Sequence, residues 1–176
     1  MKDLLDKLSS YNIFNYLLPG ILFAALGDRL ISSPLLFDDI VIGVFVYYFY
    51  GLVLSRIGSL LLEPFFKWVR ILHFAPYAEF VKASKNDQKI ELLSEINNMY
   101  RTLSSLFLCL LLLRLFESIG KAYPVLSHYS LTFAIFVLMI LFILSYRKQT
   151  GFIKSRVAHT IQSKSTIEGK NTGNVQ

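Results

Sequence analysis

The chain has 176 residues, of which 54% are hydrophobic and 15% aromatic, and its formal net charge is +6. Together with a mean hydropathy of +0.50, this apolar content excludes an ordinary soluble domain of this size. A single cysteine, Cys109, excludes an intrachain disulfide and a paired-cysteine metal site. The basic residues flank apolar segments, which indicates lipid headgroups rather than direct nucleic-acid binding.

Four apolar stretches are long enough to cross, as helices, a hydrocarbon core that is about 30 Å thick. The predicted spans are 11–27, 40–62, 102–120 and 129–146. Pro19-Gly20 predicts a kink in the first span, and short connections of about 12 and 8 residues predict two helical hairpins. We therefore expect an all-α polytopic membrane domain over residues 1–162, with a cytoplasmic helical segment at 63–101 and a disordered tail at 163–176.

The first span has a second interpretation, because Ala25-Leu26-Gly27 resembles the cleavage site of a secretory signal. The basic residues before the span are balanced by acidic ones, and Asn15 and Pro19 interrupt its apolar run. These features favour a retained span. Cleavage would leave three spans with the same orientation for the rest of the chain, so topology alone leaves both interpretations open.

The distribution of positive charge predicts the orientation. Of the 18 lysines and arginines, two lie inside predicted spans, and Arg29 and Lys121 lie in the loops that close the two hairpins. All the others lie in the N-terminus, in the segment 63–101 or in the tail. Because positively charged loops stay in the cytoplasm, both termini are expected on the cytoplasmic side.

Arg56 and Arg114 are the only ionised residues well inside the predicted spans, and they are the best functional candidates. An arginine at a helix centre costs about 2.5 to 3.5 kcal/mol on insertion scales, so each must either snorkel to headgroups or pair in a polar site. Glu117 lies at i+3 from Arg114. The polar side chains near the depth of Arg56 are Asn15, Ser55 and Ser59. Since the two arginines lie near opposite faces, they suggest the ends of a conduction path and not a catalytic pair.

Two further surfaces are predicted from residue spacing. Gly51, Ser55 and Ser59 form a small-residue ridge that lets helices approach closely, either within one chain or between copies. After Asp87, a helical pattern places four apolar residues on one stripe, namely Ile90, Leu93, Ile96 and Tyr100. This stripe requires cover from residues 65–74 of the same chain, from another copy or from a soluble cytoplasmic protein.

No enzyme motif emerges from the sequence. The three histidines are too far apart in the predicted topology to share a metal ion. The chain contains no HExxH, no GxSxG and no phosphate-binding glycine loop. We therefore predict a protein that is not an enzyme, with no catalytic residue, metal or cofactor.

Three segments carry a resemblance to a known group of proteins: YNIFNYLLPGILF, GLVLSRIGSLLLEP and SEINNMYRT. They resemble small uncharacterised four-span proteins of bacteria, some of which are similar to membrane subunits of phage-defence systems such as Kiwa. The resemblance implies an inner-membrane location, self-association and a role in sensing or permeabilising the membrane during infection.

Two functions remain as hypotheses. The first is a homo-oligomeric membrane effector or pore, favoured by the small-residue ridge and the intramembrane arginines. The second is a membrane anchor or sensor subunit that recruits a soluble cytoplasmic partner through the stripe after Asp87 or through the tail.

Overall fold

The computed structural model describes residues 13–32, 34–123 and 129–172, and every regular element in these ranges is a helix. The chain begins with a first π turn, Ile13–Leu17, that continues as α1, Leu18–Leu30. The next elements are α2, Ile40–Ile57, a second π turn, Gly58–Leu62, and α3, Glu63–Trp68. They are followed by α4, Tyr77–Asn86, by α5, Lys89–Ala122, and by α6, Ser130–Thr172. The predicted all-α class is confirmed for the described residues.

Both π turns lie directly before a proline. Pro19 and Pro64 each occupy one of the first two positions of the α-helix that follows the turn. A proline has no backbone N–H, so it cannot close the bond to a carbonyl of the preceding turn. The wider π turn accommodates this interruption. At Pro19, where the sequence predicts a kink, the structure has a π turn just before the proline.

Three helical segments of the described chain are long and apolar enough to cross a membrane: Ile40–Trp68, Lys89–Ala122 and Ser130–Ala158. They coincide with the second, third and fourth predicted spans. The helix of the first predicted span is not among them. It consists of a 5-residue π turn and a 13-residue α-helix, and its apolar run is bounded by Asn15 and Asp28. Residues 11–12 of that span lie outside the described residues.

The bundle is built around α1, α2 and α5, which pack on one another. A Cβ added at Gly20 would overlap the backbone of Tyr47, and one added at Gly51 would overlap the backbone of Tyr16. The two glycines therefore allow α1 and α2 to touch through their main chains. Beyond this contact lies the apolar core, which consists of Leu54, Leu106 and Leu110 with partly buried neighbours.

Helix α6 is loosely attached to the bundle. Its buried side chains are Leu141 and Ser145, each 8% exposed, and Phe142 stacks on Phe49 with ring centroids 6.1 Å apart. Most of its other apolar residues are exposed, including Phe133 at 62% and Ile143 at 58%. A single face of α6 therefore contacts the bundle, and the remaining apolar surface faces outward.

The end of the chain differs from the sequence-based expectation. The backbone of α6 is helical through Thr172, whereas the sequence predicts a disordered tail from residue 163 onward. No proline interrupts this stretch, and extending an existing helix orders only one residue at a time. Residues 173–176 of the predicted tail lie outside the described residues.

Candidate functional site

The first candidate site is an ion-pair cluster centred on Glu63. Its Oε1 accepts a hydrogen bond from Lys67 Nζ at 2.9 Å, and its Oε2 accepts one from Arg101 Nη1 at 2.9 Å. Lys148 Nζ lies 3.8 Å from the same Oε2. The Glu63 side chain is only 13% exposed, so a single shielded carboxylate joins α3, α5 and α6. We call Glu63, Lys67, Arg101, Lys148 and Ser59 the Glu63 cluster.

Ser59 is the fifth member because it holds Lys148. Lys148 Nζ donates to the Ser59 carbonyl oxygen at 2.6 Å and to Ser59 Oγ at 2.7 Å. In the second π turn, the Glu63 N–H bonds five residues back to the Gly58 oxygen. The same register would pair the Ser59 oxygen with residue 64, but Pro64 has no N–H. The ammonium group of Lys148 fills the position of the missing donor.

The Glu63 cluster carries more positive than negative charge. Lys67, Arg101 and Lys148 share one carboxylate. Arg56 lies close enough to act electrostatically on Lys148. Positive charge in excess of the protein's own carboxylates is the arrangement that attracts an anion. This end of the bundle is therefore suited to bind a negatively charged group.

Arg56 and its predicted neighbours lie one layer deeper in the bundle. Arg56 Nη2 donates to Tyr16 Oη at 3.5 Å, which is a long contact. Asn15 and Ser55 are 3% and 4% exposed, so the structure buries both beside the contact of α1 with α2. The three polar residues predicted near Arg56 thus divide into two groups, with Ser59 in the Glu63 cluster and the other two in the helix interface.

Thr102 and Ser105 line the α5 side of this layer and are fully buried. Thr102 Oγ1 donates to the Asn98 oxygen at 2.9 Å, and Ser105 Oγ donates to the Arg101 oxygen at 3.0 Å. Each hydroxyl is satisfied by a carbonyl one turn earlier on its own helix. The small side chain of Ser105 lets α5 approach Gly58 closely.

The second candidate site is the Glu117 cluster at the opposite end of the bundle. Glu117 Oε2 accepts from Arg114 Nη1 at 3.0 Å, and Lys121 Nζ lies 3.1 Å from Oε1. The backbone N–H and the hydroxyl of Ser32 both donate to Oε1, at 2.9 and 2.6 Å. Arg114 also donates to the Leu30 oxygen at 3.0 Å. These bonds tie the end of α1 to α5, while 60% of the Arg114 side chain stays exposed.

The two clusters are not connected through the interior of the described chain. Leu54, Leu106 and Leu110 lie between them and are 2%, 0% and 5% exposed. Such a packed apolar layer separates Arg56 from Arg114 within the part of the chain that the structure describes.

The predicted ridge and stripe occupy different environments. Gly51 lies against the backbone of Tyr16, so this part of the ridge makes its contact within the chain. On the stripe, Ile90 and Ile96 are half-buried, whereas Leu93 is 63% and Tyr100 61% exposed. Helix α4 packs against α5, and its Val81 is 1% exposed. The chain covers one side of the stripe and leaves the other side open.

Sequence reasoning did not identify the Glu63 cluster as a site. The sequence feature that indicates this cluster is the position of three charged residues relative to the predicted spans. Glu63 directly follows the second span, Arg101 directly precedes the third, and Lys148 lies just past the fourth. In an antiparallel bundle these three positions fall at one depth, so an ion-pair cluster joining the three helices was predictable.

The fold and the two clusters define an all-helical protein with helices long and apolar enough to cross a membrane. Among the residues that the structure describes, no group of three or more histidine, cysteine, aspartate or glutamate residues is placed to hold a metal ion. Comparison of the chain with protein-family models, with curated proteins and with solved structures finds no match.

Proposed function

We propose that this chain is a four-span protein of the bacterial inner membrane, with both termini in the cytoplasm, and that several copies assemble into a non-enzymatic membrane effector or pore. The main support is an exposed stripe that runs along α5 on one face. Its members are Tyr100, Ser104, Phe107, Leu111, Arg114, Ser118 and Lys121. The alternating three- and four-residue spacing is that of helices packing side by side.

The position of Arg114 on this stripe supports assembly. Its guanidinium is bonded to Glu117 and to the Leu30 oxygen, but its exposed neighbours on α5 are Leu111 at 70% and Leu115 at 57%, so the exposed part of the side chain borders an apolar outer surface. A charged group on a lipid-facing surface is unfavourable unless it reaches headgroups or faces a polar interior. Packing of α5 stripes from several copies would give Arg114 such an interior. It would also place the polar residues of the stripe along an axis outside each subunit's apolar core.

The packing of the first span against the other helices supports the proposed four-span topology. The close backbone contacts at Gly20 and Gly51 make α1 an integral part of the bundle. Removal of α1 by cleavage would expose the buried Leu54 of α2, against which Leu22 and Phe23 of α1 pack. This supports a retained first span and hence four spans.

Cysteine cross-linking in membranes tests the assembly. In a Cys109→Ser background, Leu111→Cys on the stripe is expected to give disulfide-linked dimers under mild oxidation. Leu106→Cys, which is fully buried in the same helix, serves as the matched control and should give none. Equal cross-linking at the two positions, or none at Leu111→Cys, would contradict the proposal.

Liposome efflux tests the effector activity. Vesicles that contain the wild-type chain should release a small trapped dye, and Arg114→Gln should change the release. Arg29→Gln, an exposed arginine at the end of α1, should leave it unchanged. If vesicles with the wild-type chain released no more dye than protein-free vesicles, the proposed pore would be contradicted. Because of the resemblance to phage-defence subunits, we propose that the protein acts during phage infection. The plating efficiency of phage on cells that express the chain would test this role.

A second function, membrane anchor or sensor, is favoured by a different observation. Leu92 and Leu93 are 56% and 63% exposed on the part of α5 that precedes the predicted third span. In the proposed orientation they face the cytoplasm, where exposed apolar side chains mark a protein contact. A soluble protein that co-purifies at fixed stoichiometry, and is lost with Leu93→Glu, would support this function.

A further inference from the structure

A cavity at the Glu63 end joins an apolar wall to the ion-pair cluster. The residues after α3 turn back toward α5 at Arg70, whose φ of 60° lies in the left-handed region. The returning segment and α5 enclose a cavity of about 170 Å³ whose lining includes Phe66, Ile71, Leu72 and Phe74 together with Glu63 and Arg101. An engineered apolar cavity of about 150 Å³ holds a benzene molecule. The space therefore suits a short length of hydrocarbon.

Arg101, which contributes to the cavity lining, has an unused donor. Within the described ranges, the buried Nε of Arg101 has no hydrogen-bond acceptor, although its Nη1 donates to Glu63. Buried donors are normally paired, and an unpaired one calls for an explanation such as an absent ligand. The side chains of Lys67 and Lys148 flank the same carboxylate. The site thus offers spare positive charge beside an apolar wall, and one of its cations has an unpaired buried donor.

We propose that this cavity binds an anionic phospholipid of the membrane leaflet on its side. Part of an acyl chain packs against the apolar wall, and the headgroup phosphate accepts hydrogen bonds from Arg101 and from Lys67, which lies over the Phe74 ring of that wall. Basic pockets beside membrane-spanning helices bind anionic headgroups in this way. The inference rests on the proposed membrane location. It does not require the proposed assembly, although Tyr100 and Ser104 of the α5 stripe also line the cavity.

The surroundings of the cavity favour a lipid over a free phosphate ion. Trp68 is 79% exposed, and tryptophan side chains, which combine an apolar ring with a polar N–H, concentrate at the headgroup level of membranes. Lys67 Nζ lies 4.3 Å from the ring centroid of Phe74, so one residue couples the charged side to the apolar wall. A free phosphate would use the cations and leave the wall empty.

The proposal predicts that removal of the Glu63 charge increases the affinity for lipid. Its carboxylate and the lipid phosphate compete for the same cations, so Glu63→Gln should strengthen lipid binding although it removes an ion pair of the fold. Arg101→Gln removes both the spare donor and a positive charge, and should weaken it. Charged hydrogen bonds of this kind correspond to a change of about tenfold or more in affinity. Misfolding would weaken lipid binding in both variants. Stronger lipid binding by Glu63→Gln would therefore distinguish a lipid site from a purely structural cluster.

Native mass spectrometry of the full-length chain in detergent tests this directly, with phosphatidylglycerol, phosphatidylcholine and inorganic phosphate as probes. We expect retention of phosphatidylglycerol over phosphatidylcholine, increased by Glu63→Gln and decreased by Arg101→Gln. The matched control is Arg29→Gln, an exposed arginine at the end of α1, which should behave as wild type.

Three results would overturn the lipid site. They are equal retention of the two lipids, displacement of phosphatidylglycerol by inorganic phosphate, and unchanged retention in both Glu63→Gln and Arg101→Gln. A monomer that retains phosphatidylglycerol would contradict the assembly and leave the lipid site intact, so the two proposals fail separately.

Discussion

At the scale of single residues, the bundle depends on positions where no side chain is allowed. Gly51 lies against the Tyr16 backbone, and Gly20 lies against the Tyr47 backbone. A main chain cannot rotate aside as a side chain can. Any Cβ at these positions must push α1 and α2 apart, which also disturbs the buried Asn15 and Ser55 beside the contact.

A pair of alanine substitutions tests this contact. Gly51→Ala should destabilise the protein by about 1 to 3 kcal/mol, the usual range for overpacking a core. Gly151→Ala is the control, because nothing lies within 4 Å of its added Cβ. There alanine should stabilise the helix by about 0.5 to 1 kcal/mol through its better helix propensity. Unfolding in detergent, followed by circular dichroism, measures both, and equal effects at the two positions would disprove the close approach.

At the scale of helices, α6 is attached chiefly near the Glu63 cluster. Its ring contact through Phe142 and its buried residues Leu141 and Ser145 lie on the half that leads to Lys148. Lys148 completes this attachment with two hydrogen bonds to Ser59. The contacts that hold α6 in the bundle therefore lie mainly at the end of the bundle that contains the Glu63 cluster.

Substitution of Lys148 tests this attachment. Lys148→Gln should lower the free energy of unfolding by about 1.5 kcal/mol, the low end for a hydrogen bond from a charged group, because Lys148 is still 27% exposed. Lys154→Gln changes an exposed lysine of the same helix and should have no effect. Thermal unfolding in detergent compares the two variants. Similar midpoints for both would mean that α6 is held elsewhere.

Helix α3 provides a second test at this scale through Trp68, the only tryptophan of the chain. The account places α3 at the headgroup level, and the side chain is 79% exposed and thus free to contact lipid. We expect its fluorescence in liposomes to be quenched by lipids brominated close to the headgroup more than by aqueous iodide. Strong iodide quenching without bromolipid quenching would place α3 in water.

At the scale of the whole molecule, much of the architecture follows from the sequence. The long apolar runs around Val44, Leu110 and Met139 mark three candidate spans, because a bilayer requires helices of that length. The unbroken helix from Lys89 to Ala122 also follows, since an apolar stripe leads directly into an apolar run. These features are local, so periodicity and composition are enough to predict them.

Features that depend on neighbouring helices were not predictable in the same way. The π turn before Pro64 leaves the Ser59 oxygen without a backbone donor, and the hydrogen bond that it accepts comes from Lys148 on another helix, α6. The separation of Arg56 from Arg114 by packed leucines depends on which faces of α2 and α5 meet. The burial of Val81 depends on the folding of α4 onto α5, which the spacing of its residues does not specify.

Assembly is the central claim, and native mass spectrometry of the tagged chain, extracted gently from its own membranes, tests it most directly. We predict one closed homo-oligomer of fixed stoichiometry with no other protein bound. A monomer, alone or with a soluble protein at fixed stoichiometry, would contradict the claim, and in the second case the function would lie with an anchored partner.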